Sequence, residues 1–228
     1  MFIQDKLRAM LHTLEGVEVE TIHASAAPVF LRAREDEVDF LDSGAGALFL
    51  VRSGFPDVAL SLIRPGDLFG EERLFSEARF RVAAGLLTTS TIYRIPKESL
   101  LEKCREDPDC ALALAQLSTR RQQQWAIRIE SILREPVGPR LIRSLLELDE
   151  LFGGVHSFDG SRKIPLTQAT LAVLVGVTRE SVSSKLNELE RMGLVRLGRG
   201  SIEVTAPARL RQFTVSLPEP GRGDGPGH

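Results

Sequence analysis

Arg179, Glu180, Ser183 and Ser184 lie on a segment whose other positions, Val182, Leu186 and Leu189, recur at helical spacing. That spacing predicts a helix with one apolar face and these four polar residues on or near the solvated one. A guanidinium there can donate two hydrogen bonds to a guanine edge, a carboxylate can accept from a cytosine amine, and short hydroxyl side chains suit a groove floor. Thr167, Gln168, Thr178, Ser181, Lys185 and Arg199 surround them as candidates for phosphate contacts, which position a protein without reading sequence. The plainer alternative makes Arg179 and Glu180 an ordinary helix start, Glu180 favoured by the helix dipole and Arg179 simply solvated.

The neighbouring sequence supplies the elements that such a helix needs. Ala169, Leu171, Ala172 and Leu174 predict a short preceding helix, Gly176 a left-handed turn residue, and Thr178 an N-cap. Gly193 ends the second helix, and the alternation LVRLGRGSIEV around Gly198 and Gly200 predicts a two-stranded wing. Together these segments read as a winged helix-turn-helix. Charge is distributed accordingly: residues 160–215 hold nine Lys/Arg and four Asp/Glu, a net of +5, although the whole chain carries −2. That local excess predicts binding to a polyanion that weakens steeply with salt.

Upstream, residues 1–14 predict an amphipathic helix, and 17–101 alternate apolar and polar residues between Gly, Pro and Asp breaks. Segments such as VEVETIHA, ALFLVRSG, VALSLIRPG and STIYRIP predict an antiparallel, jelly-roll-like β-roll. From Pro108 to Leu133 the pattern becomes helical, with Asp107 as cap. Ala115, Ser118, Gln122, Trp125, Ile129 and Ile132 alternate at spacings of three and four, a coiled-coil seam; the alternative is a helix that covers its own roll. Pro136-Val137-Gly138-Pro139 predicts a hinge, Pro breaking the helix and Gly letting the chain turn. The Gly- and Pro-rich residues 216–228 predict a disordered tail.

Other chemistries find little support. Cys104 and Cys110 are too few for a disulfide framework or a four-cysteine iron–sulfur cluster, and the four histidines form no metal, haem or nucleophile–base pattern, so no enzyme is predicted. With no membrane-length apolar run and no signal-peptide pattern, the expected location is cytoplasmic.

A second motif lies in IRPGDLFGEE, residues 63–72, with Arg81 further along. It resembles the phosphate-binding cassette of cyclic-nucleotide-binding β-rolls, and followed by the winged helix-turn-helix it makes the chain similar to the CRP/FNR family of bacterial transcription regulators. The resemblance implies an α+β fold: a β-roll sensor over 1–106, a dimerisation helix and hinge over 107–137, and a DNA-binding domain over 138–215. It also implies a homodimer through residues 108–133, an inverted-repeat site in double-stranded DNA, and contact with RNA polymerase. Arg179 and Glu180 match the Arg-Glu pair that reads the GTGA part of a half-site in this family. Ser184 stands where cyclic-AMP-responsive members have a second arginine, so a related half-site is expected.

The resemblance leaves the effector open. Gly70, Glu71 and Arg81 keep the cassette spacing for cyclic AMP, and backbone amides with a guanidinium suit a phosphate. Val82 replaces a hydroxyl donor, and Trp125 falls near the adenine-binding position, where it can fill the pocket or stack on a base. The central helix and hinge also look similar to the nitrogen-control branch, whose 2-oxoglutarate would meet Arg81, Arg128 and Glu130; the alternative makes Arg128 and Glu130 solvated charges. An effector-independent member, its pocket closed by its own side chains, stands beside both. The rival function is an effector-binding β-roll module that controls a protein partner without reading DNA.

Overall fold

The structure, a computed structural model, describes residues 3–11, 13–24, 27–32, 34–52, 55–75, 82–152 and 163–213. Arg81 and the tail expected over 216–228 lie outside the described residues. Strands β1 (Glu18–Ile22), β3 (Glu37–Ser43), β6 (Leu68–Phe69) and β8 (Ser90–Pro96) form one antiparallel sheet in the order β1-β8-β3-β6. Strands β2 (Val29–Phe30), β4 (Gly46–Arg52), β5 (Phe55–Ile63) and β7 (Val82–Leu86) form a second, ordered β2-β7-β4-β5. These are the two halves of the expected roll.

Four successive residues of β3, Val38 to Leu41, are buried, because its sheet is covered on both faces. Val38 and Phe40 pack with Leu7 and Leu11 of α1 (Ile3–Leu11), Leu100 of α2 (Lys97–Glu106), and Leu114 and Leu117 of α3 (Pro108–Arg134). Leu41 points the other way, into the roll with Leu48, Ile63, Phe69, Leu86 and Ile92. Each such fully buried side chain contributes roughly 1.5–3 kcal/mol of hydrophobic stabilisation. Cys104 and Cys110 bring their Sγ atoms to 2.8 Å where α2 meets α3.

The side chain of Asp107 caps α3 by accepting from Asp109 N at 3.0 Å, with Pro108 in the first turn. Two of the residues expected on a coiled-coil seam of α3 pack within this chain instead. Trp125 is half-buried against the roll interior, and Ile132 lies beside the turn at Gly176. The residues left facing outward at alternating spacings of three and four are Leu112, Ala115, Thr119, Gln122, Ala126, Ile129 and Leu133. The larger apolar side chains of the helix are divided between its own roll and an open stripe, which periodicity cannot separate.

The hinge is also narrower than expected. Helix α4 runs Val137–Phe152, so Gly138 and Pro139 lie in its first turn, and the chain breaks at Glu135 and Pro136. Glu135 is extended, with φ −94° and ψ 141°, as a residue before proline prefers. Its carboxylate accepts from Ser131 Oγ of α3 at 2.9 Å and from Arg143 Nη2 of α4 at 2.7 Å, which clamps the bend.

Beyond α4, strand β9 (Lys163–Ile164), α5 (Gln168–Val175), α6 (Arg179–Arg191), β10 (Val195–Gly198), β11 (Ser201–Val204) and α7 (Pro207–Gln212) complete the C-terminal part. The expected hairpin β10–β11 forms, but β9 adds to it and makes a three-stranded sheet, ordered β10-β11-β9. Among the described residues no helix is long and apolar enough to cross a membrane.

Candidate functional site

Helix α6 is held from beneath by Val182, Leu186 and Leu189, which join a core containing Leu145 of α4, Leu171 and Leu174 of α5, and Val195 and Ile202 of the wing. The spacing of those three residues decides which residues remain outside. Arg179, Glu180 and Ser184 are exposed, Ser183 is half-buried beside them, and none has a hydrogen-bond or ion-pair partner among the described residues. Arg179 shares a cleft with Gln168 and Ala169 at the start of α5 and with Gly198 and Ser201 of the wing.

The geometry of this surface rests on local caps. Gly176 is left-handed (φ 74°) and closes α5, its N–H reaching Ala172 O at 2.8 Å. Thr178 caps α6 by accepting from Ser181 N at 3.3 Å, and Thr167 caps α5 by accepting from Thr170 N at 3.1 Å. Two hydroxyls expected at phosphates are therefore engaged in helix capping, and Ser181 shares the Thr178 cap through its own hydroxyl at 3.1 Å. Lys185 is paired, its Nζ lying 2.7 Å from Glu188 Oε2; that hydrogen bond holds the Glu188 carboxyl below its ordinary range. Arg199 stands exposed in the turn of the wing, and Gln168 is half-buried at the start of α5.

Residue identity alone does not reveal how the wing is positioned. Leu197 N donates to Glu190 Oε1 of α6 at 2.8 Å, and Thr205 Oγ1 donates to Gly193 O at 2.9 Å. Glu190 reads in sequence as one more solvated helix charge.

The cassette residues also come together, but around a small space. Gly70 is left-handed (φ 82°) and starts a 3-10 turn over Glu71–Leu74. Glu71 is buried, with Oε1 3.6 Å from Nε of Arg121, whose Nη2 donates to Leu68 O at 2.6 Å. Burial pushes the Glu71 carboxyl up, against the pull of Arg121. Gly70, Glu71, Val82, Arg121 and Trp125 line a cavity of about 20 Å³, and Glu71 Oε2 and Arg121 Nη1 have no hydrogen-bond partner. That volume suits about one water molecule. Trp125 fills the adjoining space and donates from Nε1 to Ser61 Oγ at 3.3 Å.

Arg121 is not among the residues expected at the site, although it lies one helical turn before Trp125 on the same face. Arg128 and Glu130, in contrast, are not brought to this cavity within one chain. Arg128 donates from Nε to Ala59 O of β5 at 3.0 Å and from Nη2 to Leu174 O of α5, while exposed Glu130 pairs with Arg134 at 3.1 Å. Two residues apart, and so about 200° apart around the helix, Arg128 and Glu130 face opposite sides of α3.

Comparison with known proteins agrees with both halves of this architecture. Residues 139–213 match the Crp-like helix-turn-helix domain. Over 159 residues the chain is 31% identical to the transcriptional regulator SdrP of Thermus thermophilus, covering 70% of this chain and 74% of that protein. The chain belongs to the CRP/FNR family of transcription regulators. Within the family it is also 29% identical over 197 residues to the cyclic AMP receptor protein of Thermus thermophilus, covering 86% and 88% of the two chains. A solved CRP/FNR transcriptional regulator, also of Thermus thermophilus, superposes with TM-score 0.72 at 27% identity, covering 87% of this chain and 99% of that one. The family's roll, long helix and helix-turn-helix occur here in the same order.

Proposed function

We propose that the protein binds promoter DNA as a homodimer on an inverted repeat, with Arg179 and Glu180 reading base edges. One observation carries this reading: both side chains project without partners from the first turn of a helix whose opposite face is buried. Ser183 and Ser184 extend the same face, and Gln168 and Arg199 flank it as phosphate contacts. Thr167 and Thr178 assist through the helix starts they cap, Ser181 through its contact with Thr178, and Lys185 reaches a phosphate by exchanging its contact with Glu188. Two copies pair through α3, so that the units 1–106, 107–137 and 138–215 act as sensor, coupler and reader. Family membership supports contact with RNA polymerase and a place in the cytoplasm.

A ligand in the cassette is not needed to complete this arrangement. Trp125 and the Glu71–Arg121 pair occupy the space that cyclic AMP or 2-oxoglutarate would need, which supports a member competent without either.

Selection of bound fragments from a randomised DNA pool tests the reading, with and without the two ligands. The expected product is a two-fold symmetric site with half-site centres roughly 10 base pairs apart, enriched in all conditions. Enrichment only with one ligand would overturn the ligand-independent part, and no symmetric site in any condition would favour a module that controls a protein partner.

A further inference from the structure

We propose that the junction of the roll, α3 and α4 binds a small multivalent oxyanion, a phosphate ester or a dicarboxylate. A cavity of about 280 Å³ opens there, and four guanidinium groups line it: Arg64 just after β5, Arg128 of α3, and Arg140 and Arg143 of α4. Glu147 is the acidic residue in its lining. The site is distinct from the Gly70–Glu71 cavity and does not depend on which bases Arg179 and Glu180 read.

The four cations are unequally satisfied. Glu135 neutralises Arg143 at 2.7 Å. Arg128 is held by two neutral carbonyl oxygens, of Ala59 and Leu174, and burial pulls its guanidinium below the ordinary range. Arg140 is only 8% exposed, yet its Nε and Nη1 have no hydrogen-bond partner. The Arg64 side chain makes no hydrogen bond or close ion pair among the described residues, and it acts on Glu147 only at longer range.

Buried guanidinium N–H groups without acceptors are strongly unfavourable, and an oxyanion relieves them directly. Its planar fork offers two parallel N–H groups to a carboxylate or phosphate. With Glu135 assigned to Arg143, Glu147 balances one charge of the remaining three and leaves two for a dianion. The cavity volume lies near the lower end of small-ligand pockets, roughly 300–1,000 Å³, so a compact metabolite fits better than a nucleotide. Because β5, α3, α4 and Leu174 of α5 all reach this cavity, an occupant would touch the roll, the long helix and the DNA-reading part together.

Isothermal titration of the full chain with pyrophosphate and with succinate, at matched ionic strength, tests the site. At least one is expected to bind once per chain below millimolar concentration, and which one binds separates the phosphate from the dicarboxylate class. Arg140→Gln and Arg64→Gln should each weaken binding by about tenfold or more, whereas Arg105→Gln, an equal charge change on α2, should not. If Arg140→Gln does not fold, Arg64→Gln decides, since its side chain makes no hydrogen bond or close ion pair among the described residues. Failure of both anions to bind at millimolar concentration, or equal weakening by all three variants, would overturn the proposal.

Discussion

Nε of Arg121 lies 3.6 Å from Oε1 of Glu71, and both side chains are buried where α3 crosses the roll. The pair joins the long helix to the turn that follows Gly70. Removing one partner leaves the other as an uncompensated buried charge, which costs about 3–5 kcal/mol. Arg121→Met alone should therefore lower unfolding stability by about that amount, whereas adding Glu71→Gln should recover part of the loss. Urea unfolding of the two single variants and the double variant measures this, and additive losses would show that the pair is not coupled.

A second buried carboxylate makes stability depend on pH. Asp39 faces the roll interior, with Oδ1 3.3 Å from Arg94 Nη1. Burial pushes its carboxyl from 3.8 up to about 6, against the pull of Arg94 and Arg73. Between those values the folded chain holds a proton that the unfolded chain releases, so Asp39's contribution is full below 3.8 and is lost as pH rises through about 6. The loss amounts to about 3 kcal/mol at most. Asp39→Asn should flatten stability against pH over this window in urea titrations; an unchanged slope would contradict the assignment.

Gly176 combines a left-handed backbone with a close approach to Val58 of β5. A Cβ at this position would lie 2.9 Å from Cγ2 of Val58, besides straining a φ of +74°. Gly176→Ala should cost about 1–2 kcal/mol from backbone strain alone and loosen the seating of α5 on β5. Faster amide exchange of α5 in the variant would register the loosening, and wild-type exchange would contradict it.

Much of this architecture can be read from residue order, because local rules govern it. Thr178, Gly176 and the spacing of Val182, Leu186 and Leu189 define α6 without reference to anything distant. The role of Trp125 is less accessible: its heptad position suits a seam, but contact with Ser61, 64 residues away in sequence, turns it toward the roll. Arg121 and Arg140 escape sequence reasoning for a related reason. A buried arginine on a helix has the same sequence signature as a solvated one, and only the fold supplies Glu71 or withholds an acceptor. Gly138 and Pro139 mislead because both residue types suit a break, whereas proline is also tolerated in a first helical turn.

The outward stripe of α3 makes the proposed pairing of two chains testable. Ile129 and Leu133 are 51% and 77% exposed at consecutive seam positions. If two chains pair through this stripe, as proposed, Ile129→Glu with Leu133→Glu places like charges across the pairing, so sedimentation equilibrium should show a monomer with native helix content. A stable dimer of that variant would mean that another surface pairs the chains.

Under the proposed function, the first turn of α6 reads base edges. The most direct test is the affinity of Arg179→Ala for the selected inverted repeat and for unrelated DNA at the same salt concentration. Loss of the guanidinium should cost about 1–3 kcal/mol at each half-site and leave binding to unrelated DNA nearly unchanged, because phosphate contacts remain. If Arg179→Ala keeps wild-type preference for the inverted repeat, base reading lies elsewhere and the proposed role of α6 is wrong.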